Sequence, residues 1–172
     1  RKPWRSSSRC SPVGDWRAGG FGLYIHWPFC QAKCPYCDFN SYVSSNIDQE
    51  VWNSAYLAEL DRAASETKGR VLNSVFFGGG TPSLMAASTV DAILSRIASL
   101  WPVANDMEVT LEANPTSAES GRFADFRKAG VNRVAVGLQA LNDRDLRRLG
   151  RMHSAEEGMA AVRMARDCFE RV

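Results

Sequence analysis

Hydrophobic positions along this chain alternate between two periods. From Phe21 to Trp27 they fall on a two-residue repeat, with Leu23 and Ile25 on one face and Tyr24 and His26 on the other, as a β-strand requires. Trp52, Tyr56, Leu60 and Ala63 then follow at helical spacing, and Asn46 with Gln49 three residues later predicts that helix's capped start. A second strand is expected over Val71 to Phe77, followed by a helix whose buried stripe is Val90, Ile93, Leu94 and Ile97 and whose entry suits Thr81 and Pro82. A third strand runs from Met107 to Ala113, with Val109, Leu111 and Ala113 on one face and Thr110 and Glu112 on the other. Phe123 and Phe126 mark a third helix, closed by Gly130. Val131 to Leu138 is apolar beyond Asn132 and Arg133, as a strand covered on both faces should be. Asn142 caps a short helix through Leu149, and Ser154 with Glu157 reads as a capping box before a last helix carrying Ala161, Ala165 and Cys168.

Alternating strands and helices imply an α/β fold: a parallel sheet with helices outside, curled by its crossovers into part of a barrel. Such sheets carry their chemistry at the carboxyl ends of the strands. Gly78-Gly79-Gly80, Glu112 and Gln139 all fall at that rim, while Arg151 and His153 occupy the loop between the last two helices. A solvated surface carboxylate at Glu112 and an exposed Arg151 among Arg144, Arg147 and Arg148 are the plain alternatives. His26 is expected to be partly buried and hydrogen-bonded, rather than a ligand or proton carrier.

Composition narrows the function classes. At 172 residues, 45% hydrophobic and 23% charged, the chain is an ordinary domain with a real core. A net charge of +2 is too small to make nucleic acid its main partner. No apolar run is long enough to span a membrane, which leaves peripheral contact open. Residues 1 to 20 hold Arg1, Lys2, Arg5, Arg9 and three consecutive serines with no acidic residue before Asp15, and are expected to be a disordered or extraneous extension. The same composition suits an organellar transit segment. Five cysteines, three of them clustered, do not form a secreted disulfide framework, so a reducing compartment is implied: cytoplasmic, with mitochondrial as the alternative. Cys168 reads as a small core residue, and Cys10 has no assigned role.

The clustered thiols are Cys30, Cys34 and Cys37, in a loop just past the first strand and punctuated by Pro28 and Pro35. A closed zinc site wants four ligands, and His26 or Cys10 would have to complete it. Cys34-Pro35-Tyr36-Cys37 as a redox pair should open a helix and would leave Cys30 idle. A cubane iron-sulfur cluster held by three thiolates instead leaves one of its irons open to a substrate or cofactor.

C-x-x-x-C-x-x-C with the aromatic Tyr36 before its last cysteine is the signature of the radical S-adenosylmethionine (SAM) enzymes. The longer string Leu23-Tyr24-Ile25-His26-Trp27-Pro28-Phe29-Cys30, continued by Cys37-Asp38-Phe39-Asn40-Ser41, resembles the oxygen-independent coproporphyrinogen III oxidase-like radical SAM family, and within it the heme chaperone branch. The resemblance resumes at Phe77-Gly78-Gly79-Gly80-Thr81-Pro82-Ser83, Glu112-Ala113-Asn114-Pro115, Gly130-Val131-Asn132-Arg133, Gly137-Leu138-Gln139 and Leu149-Gly150-Arg151-Met152-His153.

The resemblance implies a partial radical SAM (β/α) barrel, of which residues 21–172 are the N-terminal part, truncated after about four β/α units. Alone, such a piece is expected to be marginally stable and to expose the edge of its fourth strand. It implies a 4Fe-4S cluster on Cys30, Cys34 and Cys37, and a SAM pocket lined by Tyr24, Tyr36, Gly79, Gly80, Thr81, Glu112, Gln139 and Arg151. In the family the reduced cluster splits SAM to methionine and a 5'-deoxyadenosyl radical. Two functions follow: a heme chaperone, with heme as bound cargo, an electron donor and heme-acceptor proteins as partners; or an oxidase that decarboxylates coproporphyrinogen III in porphyrin biosynthesis. The oxidases resemble C-x-x-x-C-x-x-C-x-C, and Phe39 stands where their further cysteine would be. A non-catalytic zinc-binding module is a third reading. His153 matches the family pattern without an implied role.

Overall fold

The structure, a computed structural model, describes residues 19–117 and 120–172. Cys10 and nearly all of the expected N-terminal extension lie outside the described residues.

Four strands, β1 (Gly22–Trp27), β4 (Leu72–Gly79), β5 (Val103–Ala113) and β6 (Arg133–Val136), form a parallel sheet in the order β1-β4-β5-β6. Between β1 and β4 lie two short parallel strands, β2 (Phe29–Cys30) and β3 (Tyr42–Val43), and helix α1 (Gln49–Glu66). Helices α2 (Ala87–Leu100) and α3 (Ser120–Lys128) make the later crossovers, and α4 (Asp143–Arg148) and α5 (Ala155–Cys168) follow β6. One registered row crosses the whole sheet: Ile25 opposite Phe77, Phe77 opposite Leu111, Leu111 opposite Val134. All four are buried, and with Val90, Ile93, Ile97, Phe123 and Phe126 from the helices they make the core. The other face carries Tyr24, Phe76, Thr110 and Arg133 in register.

Several expectations shift. α1 is capped by Asp48, not Asn46, because the Asp48 carboxylate accepts from the Glu50 and Val51 N–H groups at 3.1 Å each. Gln49 turns away to the next crossover, where its Oε1 accepts from Ala86 N–H at 3.1 Å, ahead of a helix with no side-chain cap of its own. Thr81 and Pro82 enter a single 3-10 turn, Pro82–Leu84, before α2 begins. β5 starts earlier than Met107, and the β2–β3 pair carries no alternating pattern long enough to announce it. The fourth strand is half its expected length. Val131 belongs to the closure of α3, the Asn132 side chain bonds Val109 N–H and the Met107 carbonyl, and the chain bends at Gly137. Its edge is partly covered, since Val134 N–H donates to the Arg171 carbonyl at 3.2 Å and Arg171 bridges Arg133 in parallel. The expected capping box at Ser154 and Glu157 and the cap at Asn142 both form.

Candidate active site

Cys30, the last residue of β2, and the loop that follows it hold the three clustered thiols. Tyr42 N–H donates to the Pro28 carbonyl at 2.7 Å and Ser44 N–H to the Cys30 carbonyl at 3.4 Å, so the segment leaves beside Cys30 and returns to the same place. Inside it a turn closed by Cys37 N–H on the Cys34 carbonyl, 3.1 Å, brings the second and third thiols round to one side. Lys33 latches the loop: its Nζ donates to the Phe39 carbonyl at 2.8 Å, the Ser41 hydroxyl at 3.0 Å and the Ser41 carbonyl at 3.3 Å. Cys30 is buried, Cys34 and Cys37 half-buried, and all are free thiols. No helix starts at Cys34, which removes the redox-pair reading.

At the end of β4, Gly80 N–H donates to the Trp27 carbonyl at 2.6 Å and Thr81 N–H to the Phe29 carbonyl at 2.8 Å. The glycines make this approach possible. A Cβ on Gly80 would lie 2.5 Å from the Phe29 carbonyl oxygen, and one on Gly79, whose φ is +108°, would lie 2.6 Å from the His26 ring. Their missing side chains thus make room first for the chain itself. His26 is held behind the loop, with Nε2 3.0 Å from the Asn40 carbonyl oxygen, as the sequence suggested.

The remaining strands bring polar groups to the same rim. Glu112, at the end of β5, is half-buried; burial pushes its carboxyl above the ordinary range, opposed by a bond from the Gly79 N–H. Asn114 donates to the Thr81 hydroxyl at 3.1 Å and accepts from Arg151 Nη2. Arg151 arrives from the helix side. After α4 the chain turns at Gly150, φ +66°, where Gly150 N–H bonds the Arg147 carbonyl at 3.1 Å and Arg151 N–H the Leu146 carbonyl at 2.9 Å. That corner aims the guanidinium inward, where Nη2 also donates to the Gly137 carbonyl at 2.8 Å and Nη1 lies 3.4 Å from both Cys34 Sγ and the Tyr36 hydroxyl. Burial first, and then the bond with Cys34, raise the Tyr36 phenol above its usual value.

These groups enclose a cleft of about 250 Å³. Of the residues nominated from sequence, Cys30, Cys34, Cys37, Tyr36, Gly79, Gly80, Thr81, Glu112, Gln139 and Arg151 line it, and Tyr24 does not. Tyr24 sits one row down on the inner face, stacked on Phe76 with centroids 6.0 Å apart. Its phenol is raised by burial and by the negative charge of Glu112.

A family model described as the Radical SAM superfamily matches residues 24–172. The chain belongs to the radical SAM superfamily. It is 44% identical over 147 residues to a Bos taurus protein named Radical S-adenosyl methionine domain-containing protein 1, mitochondrial, covering 86% of this chain and 33% of the relative. It is 40% identical over 144 residues to the heme chaperone HemW of Escherichia coli, covering 83% of this chain and 38% of the relative. Among solved structures, the coproporphyrinogen III oxidase HemN of Escherichia coli, a radical SAM enzyme, superposes with a TM-score of 0.78 at 26% identity, over 86% of this chain and 34% of that one. The chain is therefore a HemN-like radical SAM protein close to HemW, with the partial fold of that group, and spans little more than a third of these relatives' length.

Radical SAM chemistry implies a 4Fe-4S cluster and SAM, and the donor set fits both. Three soft thiols face one cleft, with no disulfide spending any of them. Among the described residues no three His, Cys, Asp or Glu side chains converge as tightly as a single metal ion demands. Arg151 Nε is buried without a partner among the described residues, a donor left over beside the cleft.

Sequence reasoning passed over Asn114 and Lys33 as site residues, although both line the cleft. Asn114 was legible from place alone, one residue beyond the carboxyl end of β5. Nothing local marks Lys33, because its bonds close a loop whose shape the sequence does not reveal.

Proposed function

We propose that the chain is the cluster- and SAM-binding part of a heme chaperone, which binds heme and passes it to acceptor proteins. Cys30, Cys34 and Cys37 hold the cluster. The pocket beside it is formed by Tyr36, Gly79, Gly80, Thr81, Glu112, Gln139 and Arg151. When bound, the reduced cluster and SAM together supply one-electron cleavage of a sulfonium carbon–sulfur bond. The chain's own groups bind and orient. The planar guanidinium of Arg151 matches a carboxylate fork, and a half-buried Glu112 short of a cationic partner suits an ammonium group. Gly79 and Gly80 bring main chain into the lining, with their N–H groups already bonded to Glu112 and the Trp27 carbonyl.

The observation that carries this reading is the convergence of three free thiols and these polar groups on one cleft. Phe39, which lines the same cleft and is 58% exposed, favours the chaperone over the oxidase. An apolar ring there replaces a potential thiolate ligand. Higher identity to the heme chaperone HemW than to the oxidase HemN, 40% against 26%, points the same way. The cargo is heme; porphyrinogen is the substrate under the oxidase reading. An electron donor is required in either case. The location follows the reducing compartments already named, cytoplasmic or, as the Bos taurus relative's name has it, mitochondrial. No helix among the described residues is long and apolar enough to cross a membrane.

Full-length protein with its cluster rebuilt without oxygen tests this. SAM is expected to change the electron spin resonance spectrum of the reduced cluster, and an unchanged spectrum overturns the site. Incubation with SAM, a reductant and coproporphyrinogen III is expected to give no protoporphyrinogen, with heme retained when supplied. Turnover would make the protein the oxidase.

A further inference from the structure

Gln139 is the only residue other than glycine with a positive φ, +70°, among the described residues. It lies at the centre of the second of two successive tight bends: Leu138 N–H donates back to the Val136 carbonyl at 2.9 Å around Gly137, and Ala140 N–H to the Leu138 carbonyl at 3.0 Å around Gln139. A two-residue hydrogen bond around a positive φ is the strained form of γ-turn. Such a conformation is unfavourable in itself and persists only where its surroundings hold it. Gln139 itself supplies no support, since its side-chain amide lines the cleft and makes no hydrogen bond among the described residues.

The support comes from the next loop. His153 is 95% buried by its 5% exposure, and its Nε2 lies 3.1 Å from the same Leu138 carbonyl oxygen that closes the bend. A carbonyl only accepts, so Nε2 carries the proton. Burial, chiefly, lowers the ring's pKa and keeps it neutral, which fixes that tautomer. Behind both stands α5. A Cβ on Gly158 would collide with Leu138 Cδ1 and lie 3.2 Å from His153 Cδ2, so only glycine lets the helix press on the pair.

We propose that His153 is a positioning residue for Gln139: by donating to the Leu138 carbonyl it locks the strained bend that presents the Gln139 amide to the cleft. This rests on the reading of the cleft as the SAM pocket. It assigns the role that the sequence left open for His153.

The test uses full-length protein with its cluster rebuilt anaerobically, and reads the SAM dissociation constant together with cluster absorbance. His153→Leu and Gln139→Ala are each expected to weaken SAM binding about tenfold with cluster content unchanged, the size usual for residues that orient a ligand-contacting group. The double variant should be no weaker than Gln139→Ala alone, because the two changes remove one effect. His153→Gln, whose amide N–H can reach as Nε2 does, should restore most of the affinity, whereas the shorter His153→Asn should not; this pair decides the matter if the Leu variant does not fold. Unchanged binding in His153→Leu, independent losses that multiply in the double variant, or equal behaviour of the Gln and Asn variants would overturn the proposal. If Gln139→Ala itself leaves SAM binding intact, the pocket assignment of Gln139 fails, and the proposal with it. If Gln139→Ala weakens binding and His153→Leu does not, only the proposal fails.

Discussion

At Gly130 and at Gly150 the chain leaves a helix by the same pair of nested hydrogen bonds, yet the two corners serve different ends. Gly130 N–H bonds the Arg127 carbonyl at 3.1 Å and Val131 N–H the Phe126 carbonyl at 3.0 Å; Gly150 and Arg151 repeat the pattern on Arg147 and Leu146. After Gly130 the residue delivered is Val131, fully buried, and the next is Asn132, whose amide ties two backbone groups of β5. After Gly150 it is Arg151, whose guanidinium spans Asn114, Gly137, Cys34 and Tyr36. One backbone device thus builds the sheet at one corner and the cleft at the other. The side chain placed just past the glycine decides which.

The largest expected effect is at the building corner. Asn132→Ala removes the partners of Val109 N–H and the Met107 carbonyl, bonds of 2.8 Å each. Leaving two such groups unpaired should cost about 2–4 kcal/mol in urea unfolding, while the SAM affinity of the folded fraction stays the same. Arg151→Lys should do the reverse. A single ammonium cannot make the forked contacts of a guanidinium, so SAM binding should weaken by roughly ten- to a hundredfold, with stability lowered by no more than about 1 kcal/mol. If both variants lose stability and neither loses SAM specifically, the corners do not differ as described.

Replacing the glycines themselves sharpens the contrast with a smaller effect. Alanine at either position takes on a left-handed backbone at a cost of about 1 kcal/mol. A Cβ at Gly130 would meet Leu94 Cδ1 at 3.3 Å, a flexible side-chain end, whereas one at Gly150 would sit 2.8 Å from Pro35 Cδ in the thiol loop. Gly130→Ala should therefore lower the melting temperature alone. Gly150→Ala should lower it by a similar amount and also reduce the iron retained after cluster rebuilding, measured as iron per chain.

Both corners were legible as helix ends. Gly130 stands where a C-terminal cap is expected, and the capping residue Asn142 announces the helix that Gly150 closes. The strand periods put Ile25 and Leu111 on the core-facing sides of their strands, because side chains alternate strictly along a strand, while the register that lines them up with Phe77 and Val134 came only with the fold. The site was legible through its unusual residue types and their resemblance to a family, not through pattern. What could not be read were contacts closed over long separations: Gln49 reaching Ala86, the β2–β3 pair, and the bond from His153 to Leu138. Each depends on where two distant segments meet, which no local period encodes. The early end of β6 is set by a close turn that its apolar run does not announce, Leu138 N–H on the Val136 carbonyl around Gly137.

The smallest expected effect tests the cleft electrostatically. Burial raises the Glu112 carboxyl, so the native protein keeps that proton to a higher pH than the unfolded chain does. Native Glu112 then binds more protons than unfolded Glu112 between the ordinary glutamate range and its own raised value. Its contribution to stability must fall as pH rises through that window and level off above it. Glu112→Gln removes this slope, so the variant should be slightly the more stable at neutral pH and lose that advantage in acid. SAM binding should respond with the opposite sign. An ammonium group favours the ionised carboxylate, so affinity should climb with pH over the same window in the parent and stay flat in Glu112→Gln. A stability slope without an affinity slope would leave Glu112 buried at the rim but not in contact with SAM, and would move the ammonium to backbone carbonyls of the glycine run.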